Sequence, residues 1–418
     1  MVLSESKNPK KVLLVEPSAS GHHMALYLRH VVRGLANEAI EVLLLTTKEA
    51  KADAAFQLVK TELPDNAKIF YFDLGPQTAG TKTIALLMNQ VSSWLRLRKT
   101  AQKLVVTERP DVVYVPTVDW IAKAIELLGS PFGKCPFIAL YMSPKHHRFA
   151  TGIGAKSRSD ILYDKLFVRL LRLPTLHKLL VIDEIFYEFA RKRYGGYAHK
   201  IGFAPDFGSA AHNVEQSSAR RNLGISHASK VLLVYGSLTL RKGIKELLEA
   251  LAIEGTPKNL VLLLAGRPSA NLEALLRKPE YLSLIQERRV VTRFKFHDAD
   301  DESQVFSASD AVWVAYVNGF SGSSGVLHQS VGYGLPVIAG NSGLVGTLVQ
   351  RFQLGATLDP TESSTVTLAL KELAEGRMSL SASQEKVREF SHKYSSDSHI
   401  QAVLCALGDG NQQDAVSD

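Results

Sequence analysis

The chain has 418 residues, 45% of them hydrophobic and 22% charged, an ordinary globular composition and more sequence than one hydrophobic core normally serves. Its net charge of +8 is uneven: residues 1–210 hold 29 Lys and Arg against 19 Asp and Glu, and the remainder holds 20 against 22. No apolar run reaches the ~18–20 residues of a membrane span, and the two cysteines, Cys135 and Cys405, show neither metal spacing nor a disulfide framework, so a reducing cytoplasmic setting is expected.

The start, MVLSESKNPKKVLLVEP, has too short an apolar stretch for a signal peptide, and KVLLVEP (11–17) reads as a buried strand. Apolar residues at helical spacing follow over 21–37. Strands EVLLLTT (41–47) and AKIFYFD (67–73) come next, then a long helix over 83–107. The strand DVVYVPT (111–117), a helix over 120–128, and the strands PFIALYM (136–142) and KLLVID (178–183) complete this half, with a helix running to about Arg193. Around 200–218 the pattern breaks into a polar Gly- and Ala-containing stretch that reads as a linker. It then restarts with strand KVLLVYG (230–236), a helix over 242–252, strand NLVLLLAG (259–266), a helix from Asn271, strand VVTRFKF (290–296) and a short helix over 303–309. The expected fold class is α/β, with two doubly wound, Rossmann-like halves of about 200 residues. Ligands are expected beyond the C-terminal ends of the strands. A helical region over 386–407 and a polar tail, GDGNQQDAVSD, expected to be disordered, close the chain.

Residues 310–346, DAVWVAYVNGFSGSSGVLHQSVGYGLPVIAGNSGLVG, are the most informative segment. A short apolar strand runs into a Gly/Ser loop (319–325), then a helix (326–333), then Gly-Leu-Pro and a second buried strand (337–339). A Gly/Ser loop at a helix N-terminus offers free backbone N–H groups and the positive end of the helix dipole, which suits a phosphate or diphosphate. Ser323, Ser324, Gly325 and Val326 form this expected anion pocket.

This segment resembles the donor-binding half of GT-B glycosyltransferases, most closely glycosyltransferase family 4, and the resemblance extends over nearly the whole chain. It implies a GT-B fold: a first domain (1–205) that binds the acceptor, a second (206–389) that binds a nucleotide-sugar, and a last helix (about 390–408) that packs back on the first, ahead of the tail 409–418. It also implies transfer of a sugar from a nucleotide-diphosphate-sugar donor to a hydroxyl acceptor, such as a glycan or a lipid-linked saccharide, with retention. A nucleotide-sugar epimerase of GT-B shape and a non-catalytic GT-B subunit are the alternatives. No cofactor, metal or nucleic acid is expected.

The resemblance carries over residue by residue. Ser18-Ala19-Ser20-Gly21-His22-His23 looks like the glycine-containing loop over the donor diphosphate, with Gly21 admitting close approach and His22 touching phosphate or acceptor. In VYGSLTLRKGIKELLEAL (234–251), Lys242 falls on the family's phosphate-binding lysine. Ser237 stands where the family has an arginine, and Arg241 supplies a second charge. A cation there offsets the negative charge that bond cleavage throws onto the leaving diphosphate. Arg267, Phe296 and His297 fall where the family holds the base, with Phe296 as plain core the alternative. The family's two glutamates, separated by seven residues, are Ser321 and Gln329 here. Gln329 still offers hydrogen bonds to ribose hydroxyls, so Gln329→Glu is expected to be tolerated or to improve binding. In the first domain, His146 matches the family's histidine near the sugar. Asp119 is the candidate base if the reaction inverts; with retention, the leaving phosphate takes the acceptor's proton.

Two basic, apolar stretches remain: WLRLRKTAQKLV (94–105) and ILYDKLFVRLLRLPTLHKLL (161–180). The first reads as a packed helix with snorkelling cations. The second reads either as the same or as a segment lying on an anionic membrane, which would make the protein peripheral on the cytoplasmic face.

Overall fold

The computed structural model describes residues 10–18, 23–76, 83–209, 211–212, 214–317, 319–378 and 384–409. The chain divides into two compact units. The first holds the described residues up to His147, Lys156–Pro205 and those from Ser396 onward; the second holds Arg148–Ala155 and Asp206–Ser395. Each is a parallel sheet wound on both faces by helices.

In the first unit the strands are β1 (Lys11–Val15), β2 (Glu41–Thr47), β3 (Lys68–Phe72), β4 (Val112–Val115), β5 (Phe137–Tyr141), β6 (Leu176–Val181) and β7 (Ile201–Phe203), in the order β3-β2-β1-β4-β5-β6-β7. Their helices are α1 (Arg29–Asn37), α2 (Ala54–Glu62), α3 (Thr83–Glu108), α4 (Ala122–Leu128), α5 (Arg158–Leu171) and α6 (Glu184–Arg193). The strands are apolar almost without a break because both faces are covered. Leu13, Val15, Leu43, Leu45, Val113 and Val115 form one face of the core, covered by Trp94, Leu97, Ala101 and Leu104 of α3. Ser157 and Asp160 make a reciprocal capping box at the start of α5, and Asp183 caps α6 by accepting from the Phe186 N–H at 2.9 Å.

Three sequence expectations change here. The helix expected over 21–37 enters through a π-helical turn, His23–Leu28, before α1. Within 161–180 the helix α5 ends at Leu171, ahead of Pro174, and the strand expected from 178 already begins at Leu176 as β6, because proline cannot continue the helix hydrogen bonding. The expected linker over 200–218 contains the edge strand β7 and the start of the next helix.

The second unit has β8 (Lys230–Leu238), β9 (Leu260–Pro268), β10 (Val290–Arg293), β11 (Ala311–Val314), β12 (Val337–Gly340) and β13 (Gly355–Leu358), in the order β10-β9-β8-β11-β12-β13. Its helices are α7 (Gln216–Leu223), α8 (Ile244–Ala252), α9 (Ala270–Leu276), α10 (Pro279–Gln286), α11 (Ala299–Ser307), α12 (Gly325–Gly332), α13 (Gly343–Phe352), α14 (Ser363–Ala374) and α15 (Gln384–Lys393). Strand order reverses between β8 and β11, which opens a crevice beyond their C-terminal ends. The helical region expected over 386–407 is two helices. α15 belongs to the second unit, while α16 (Ser396–Asp409) belongs to the first, where His399 hydrogen-bonds the Pro205 carbonyl at 2.8 Å. Among the described residues no helix is long and apolar enough to cross a membrane.

Candidate functional site

The crevice of the second unit gathers most of the residues expected at the donor. β8 runs two residues further than expected, pairing Gly236 with Gly266 and Ser237 with Arg267 on β9. Ser237 is therefore an exposed strand residue rather than part of a loop. Arg241 and Lys242 lie in a single 3-10 turn, and α8 begins only at Ile244. Gly243 breaks the two apart: its φ is +69°, and a Cβ would sit 2.8 Å from the Ala315 carbonyl oxygen. The turn is tied to β11 by the Trp313 Nε1–H, which donates to the Lys242 carbonyl at 2.8 Å, and by the Val317 N–H, which donates to the Arg241 carbonyl at 2.9 Å.

This clamp fixes Lys242. Its side chain is buried, and Nζ donates to the Tyr235 carbonyl at 2.8 Å. Nζ also lies 5.2 Å from the Tyr316 ring centre, and among the described residues no carboxylate pairs with it. Arg241 is exposed and lies 4.7 Å from the Phe320 ring centre.

The loop into α12 meets the lysine. Ser324 occupies the N-cap position but does not cap; its hydroxyl is engaged with the Tyr316 hydroxyl at 2.9 Å. The first N–H groups of α12, at Gly325 and Val326, are thus not capped by that side chain. A methyl-sized probe beside Gly236 would lie 4.0 Å from both the Lys242 Nζ and the Val326 side chain. Ser321 and Ser323 are half-buried in the same loop. Lys242, without a carboxylate partner among the described residues, and the first turn of α12 therefore border one small volume, an arrangement suited to an anion.

Gln329, on α12, belongs to a closed polar ring. Its Nε2 donates to Ser209 Oγ at 2.9 Å and to Glu302 Oε2 at 2.8 Å. Ser209 donates to Glu302 Oε1 at 2.7 Å, and the Tyr235 hydroxyl donates to Glu302 Oε2 at 3.0 Å. The carboxylate missing from the α12 position is thus present in the site, on α11. Sequence reasoning missed it because the helix was expected to start at 303, which left Glu302 outside it. A signal was available: Glu302 stands three and four residues before Val305 and Phe306, on the helix face that is buried.

At the ends of β9 and β10 the expected base-binding residues separate. Phe296 is 68% exposed, so it is not core, and the Arg267 guanidinium lies 5.2 Å from its ring centre. β10 stops at Arg293, so both Phe296 and His297 lie in the following loop. His297 is buried edge-on to Tyr235, hydrogen-bonds the Lys295 carbonyl at 3.1 Å, and burial lowers its pKa.

In the first unit the expected site residues are occupied. Asp119 accepts from the Met142 N–H through Oδ2 and from the Ser143 N–H through Oδ1, both at 2.8 Å, which ties the chain leaving β5. Burial pushes its carboxyl up to about 6, against the lowering effect of those N–H groups. The expectation of a free acceptor base is corrected: both oxygens hold backbone. His146 is likewise corrected from a sugar-facing residue. It is buried among Phe167, Phe186 and Phe189, and burial lowers its pKa to about 3. The Tyr194 hydroxyl donates to Asp164 at 2.5 Å, so it accepts from His146 Nε2 at 3.0 Å, which fixes the neutral tautomer. His147, fully buried, pairs with Asp183 at 3.0 Å. Gly21 and His22 lie outside the described residues. Among the described residues, no group of three or more His, Cys, Asp or Glu is placed to hold a metal ion.

Residues 215–394 match the family of glycosyl transferases group 1. No curated protein matches the chain in sequence. Among solved structures, a glycosyltransferase from Rickettsia africae superposes with a TM-score of 0.68 at 12% identity, covering 97% of this chain and 100% of that one. Anabaena Alr3699/HepE, solved with UDP and glucose, gives 0.61 at 18% identity over 97% and 98% of the two chains. WaaG, a glycosyltransferase involved in lipopolysaccharide biosynthesis, gives 0.63 at 14% over 96% and 100%. Over residues 215–394 the chain is thus similar to the glycosyl transferases group 1, and as a whole it has the GT-B fold.

Proposed function

We propose that the chain transfers a glycosyl group from a nucleoside-diphosphate sugar to a hydroxyl acceptor with retention, using cationic side chains and backbone rather than a metal ion to hold the diphosphate. The observation that carries this is the buried Lys242 ammonium, which has no carboxylate partner among the described residues and faces the start of α12. A buried cation without a counter-charge is costly unless an anion completes the site. A diphosphate is the anion that matches a lysine, a flanking arginine and a helix N-terminus together. Neither Asp119 nor His146 offers a free base, which supports retention. In that reaction the C–O bond to the diphosphate breaks, the bond to the acceptor oxygen forms, and the acceptor proton passes to a diphosphate oxygen. Lys242 and Arg241 stabilise the charge as it develops.

A face of the first unit supports a membrane-associated, lipid-linked acceptor. α3 packs on α4 and α4 on α5. Met88 and Leu95 of α3 and Ile161 and Leu162 of α5 are exposed, interspersed with exposed Arg96, Arg98, Lys99 and Lys165. Exposed apolar residues beside cations fit an anionic bilayer surface. The unit carrying this face also holds the chain's excess positive charge.

The test is incubation with UDP-, GDP-, ADP- and dTDP-sugars, with release of free nucleotide and the anomeric configuration of the product measured in EDTA. Slow release from one donor, accelerated by an acceptor and insensitive to EDTA, is expected. Binding without turnover under any acceptor would mean a non-catalytic subunit, and an inverted product would overturn the retaining mechanism. For the surface, cosedimentation with phosphatidylglycerol vesicles but not phosphatidylcholine vesicles is expected, weakened by salt and by Leu95→Asp.

A further inference from the structure

We propose that Glu302 is a positioning residue for donor recognition: it takes up both amide hydrogens of Gln329, one directly and one through Ser209, and so leaves the Gln329 carbonyl oxygen as the only group that side chain can offer a ligand. The inference rests on the donor being a nucleoside diphosphate whose ribose meets Gln329, and adds how that amide is oriented and by which residue.

The bond directions are forced by chemistry. An ionised carboxylate only accepts, so each group within reach of Glu302 must donate to it. The Tyr235 hydroxyl gives its one hydrogen to Oε2, and the Ser209 hydroxyl gives its one hydrogen to Oε1. The Ser209 oxygen is then left to accept, and it accepts from Gln329 Nε2. The second Nε2 hydrogen goes to Glu302 Oε2. Were the amide turned over, its carbonyl oxygen would face a carboxylate at about 2.8 Å, lone pair against lone pair. The ring has one arrangement of hydrogens, and in it the Gln329 carbonyl oxygen has no protein partner among the described residues.

The surroundings hold the ring rigid. Glu302, Tyr235 and Gln329 are each less than a tenth exposed. The loop carrying Ser209 is pressed on α12, since a Cβ on Gly208 would come 2.8 Å from the Gln329 backbone nitrogen. Tyr235 is wedged edge-on against Phe306, one turn along α11 from Glu302, with ring centres 4.9 Å apart. Tyr235 also supplies the carbonyl that holds Lys242, so the ring and the phosphate cation share one residue at the end of β8. A neutral acceptor oxygen on the helix whose first turn borders the anion site, in a ring that shares Tyr235 with Lys242, suits a hydroxyl donor carried by the same ligand. In a nucleoside diphosphate that donor is the ribose diol. A carboxylate would accept the same hydroxyl more strongly, but beside Glu302 it would be repelled, so the chain keeps its acid one helix away and presents an oriented amide.

The probes are UDP, GDP, ADP and CDP with their 2′-deoxy and 3′-deoxy counterparts, titrated calorimetrically against the full chain. Wild type is expected to bind one nucleotide and to lose about fivefold or more when one of the two hydroxyls is removed. Glu302→Gln, which can donate as well as accept, releases the Gln329 amide. It is expected to reduce that discrimination to less than twofold and to raise KM for the donor while kcat changes less. The double variant Glu302→Gln, Gln329→Glu reverses the polarity of the central bond and is expected to restore the discrimination. A residue needed only for folding would move affinity for ribo- and deoxynucleotides alike and would show no rescue. If wild type discriminates and Glu302→Gln discriminates equally, this inference is overturned while the donor assignment stands. If wild type binds none of the four nucleotides, the donor assignment fails and takes the inference with it.

Discussion

The two units place polar residues in the same topological position, just beyond the C-terminal ends of parallel strands, and use them in opposite ways. In the first unit Asp119 has both oxygens on backbone N–H groups, and His146 is locked to Tyr194. In the second, among the described residues, Lys242 has no carboxylate partner, the Ser324 side chain does not cap α12, and the Gln329 carbonyl oxygen is unshared. A functional polar group is recognised less by its place in the fold than by hydrogen-bonding or charge capacity left over after the protein has used what it needs.

The comparison breaks most visibly if the ring around Glu302 tolerates a second acid. Gln329→Glu would set two carboxylates within hydrogen-bond reach in a buried site. The sequence alone favoured tolerance; the structure reverses that. The expected cost is about 3 kcal/mol, measured by urea unfolding, from setting two like charges side by side in a buried site. Wild-type stability at pH 7 would mean that Glu302 does not hold the amide.

Asp119 offers a smaller, pH-dependent effect. Its carboxyl titrates near 6 in the folded chain, above its ordinary 3.8, so the folded state holds the proton more tightly. Its contribution is fully present below the unfolded value and is lost as pH rises through about 6. The stability of wild type relative to Asp119→Asn is expected to fall by roughly 2–3 kcal/mol between pH 4 and pH 7. A flat difference would contradict the buried placement, and abolished transfer with an intact fold would return Asp119 to the chemistry.

The smallest effect belongs to His146. The residue is neutral and walled by aromatic rings, so His146→Phe is expected to change stability by less than about 1.5 kcal/mol and donor turnover by less than about threefold. A loss of a hundredfold in turnover without unfolding would place the histidine at the substrate.

The doubly wound architecture was legible in the sequence because parallel strands buried on both faces leave unbroken apolar runs, such as KVLLV and EVLLLTT. The proposed phosphate site could be suggested from sequence because Lys242 and the loop before Gly325 are local signals, each contained in about ten residues. The short edge strand β7 was hidden in polar, Gly-containing sequence, since three residues carry too little periodicity. The Glu302 ring was also hidden: Ser209, Tyr235, Glu302 and Gln329 come from four separate segments, and no spacing rule connects them. His146 and Asp119 were misjudged because sequence shows that a polar residue follows a strand but not whether its partners are already satisfied.

The most direct test of the central claim is calorimetric titration of UDP, GDP, ADP and CDP into wild type and into Lys242→Ala. Removing the charge-assisted contact to phosphate is expected to weaken binding of the preferred nucleotide by about 1.5–3 kcal/mol, roughly ten- to a hundredfold, with the melting temperature of the free protein kept within a few degrees. Equal affinity in the two proteins would contradict the account, because the buried ammonium would then not be waiting for a diphosphate.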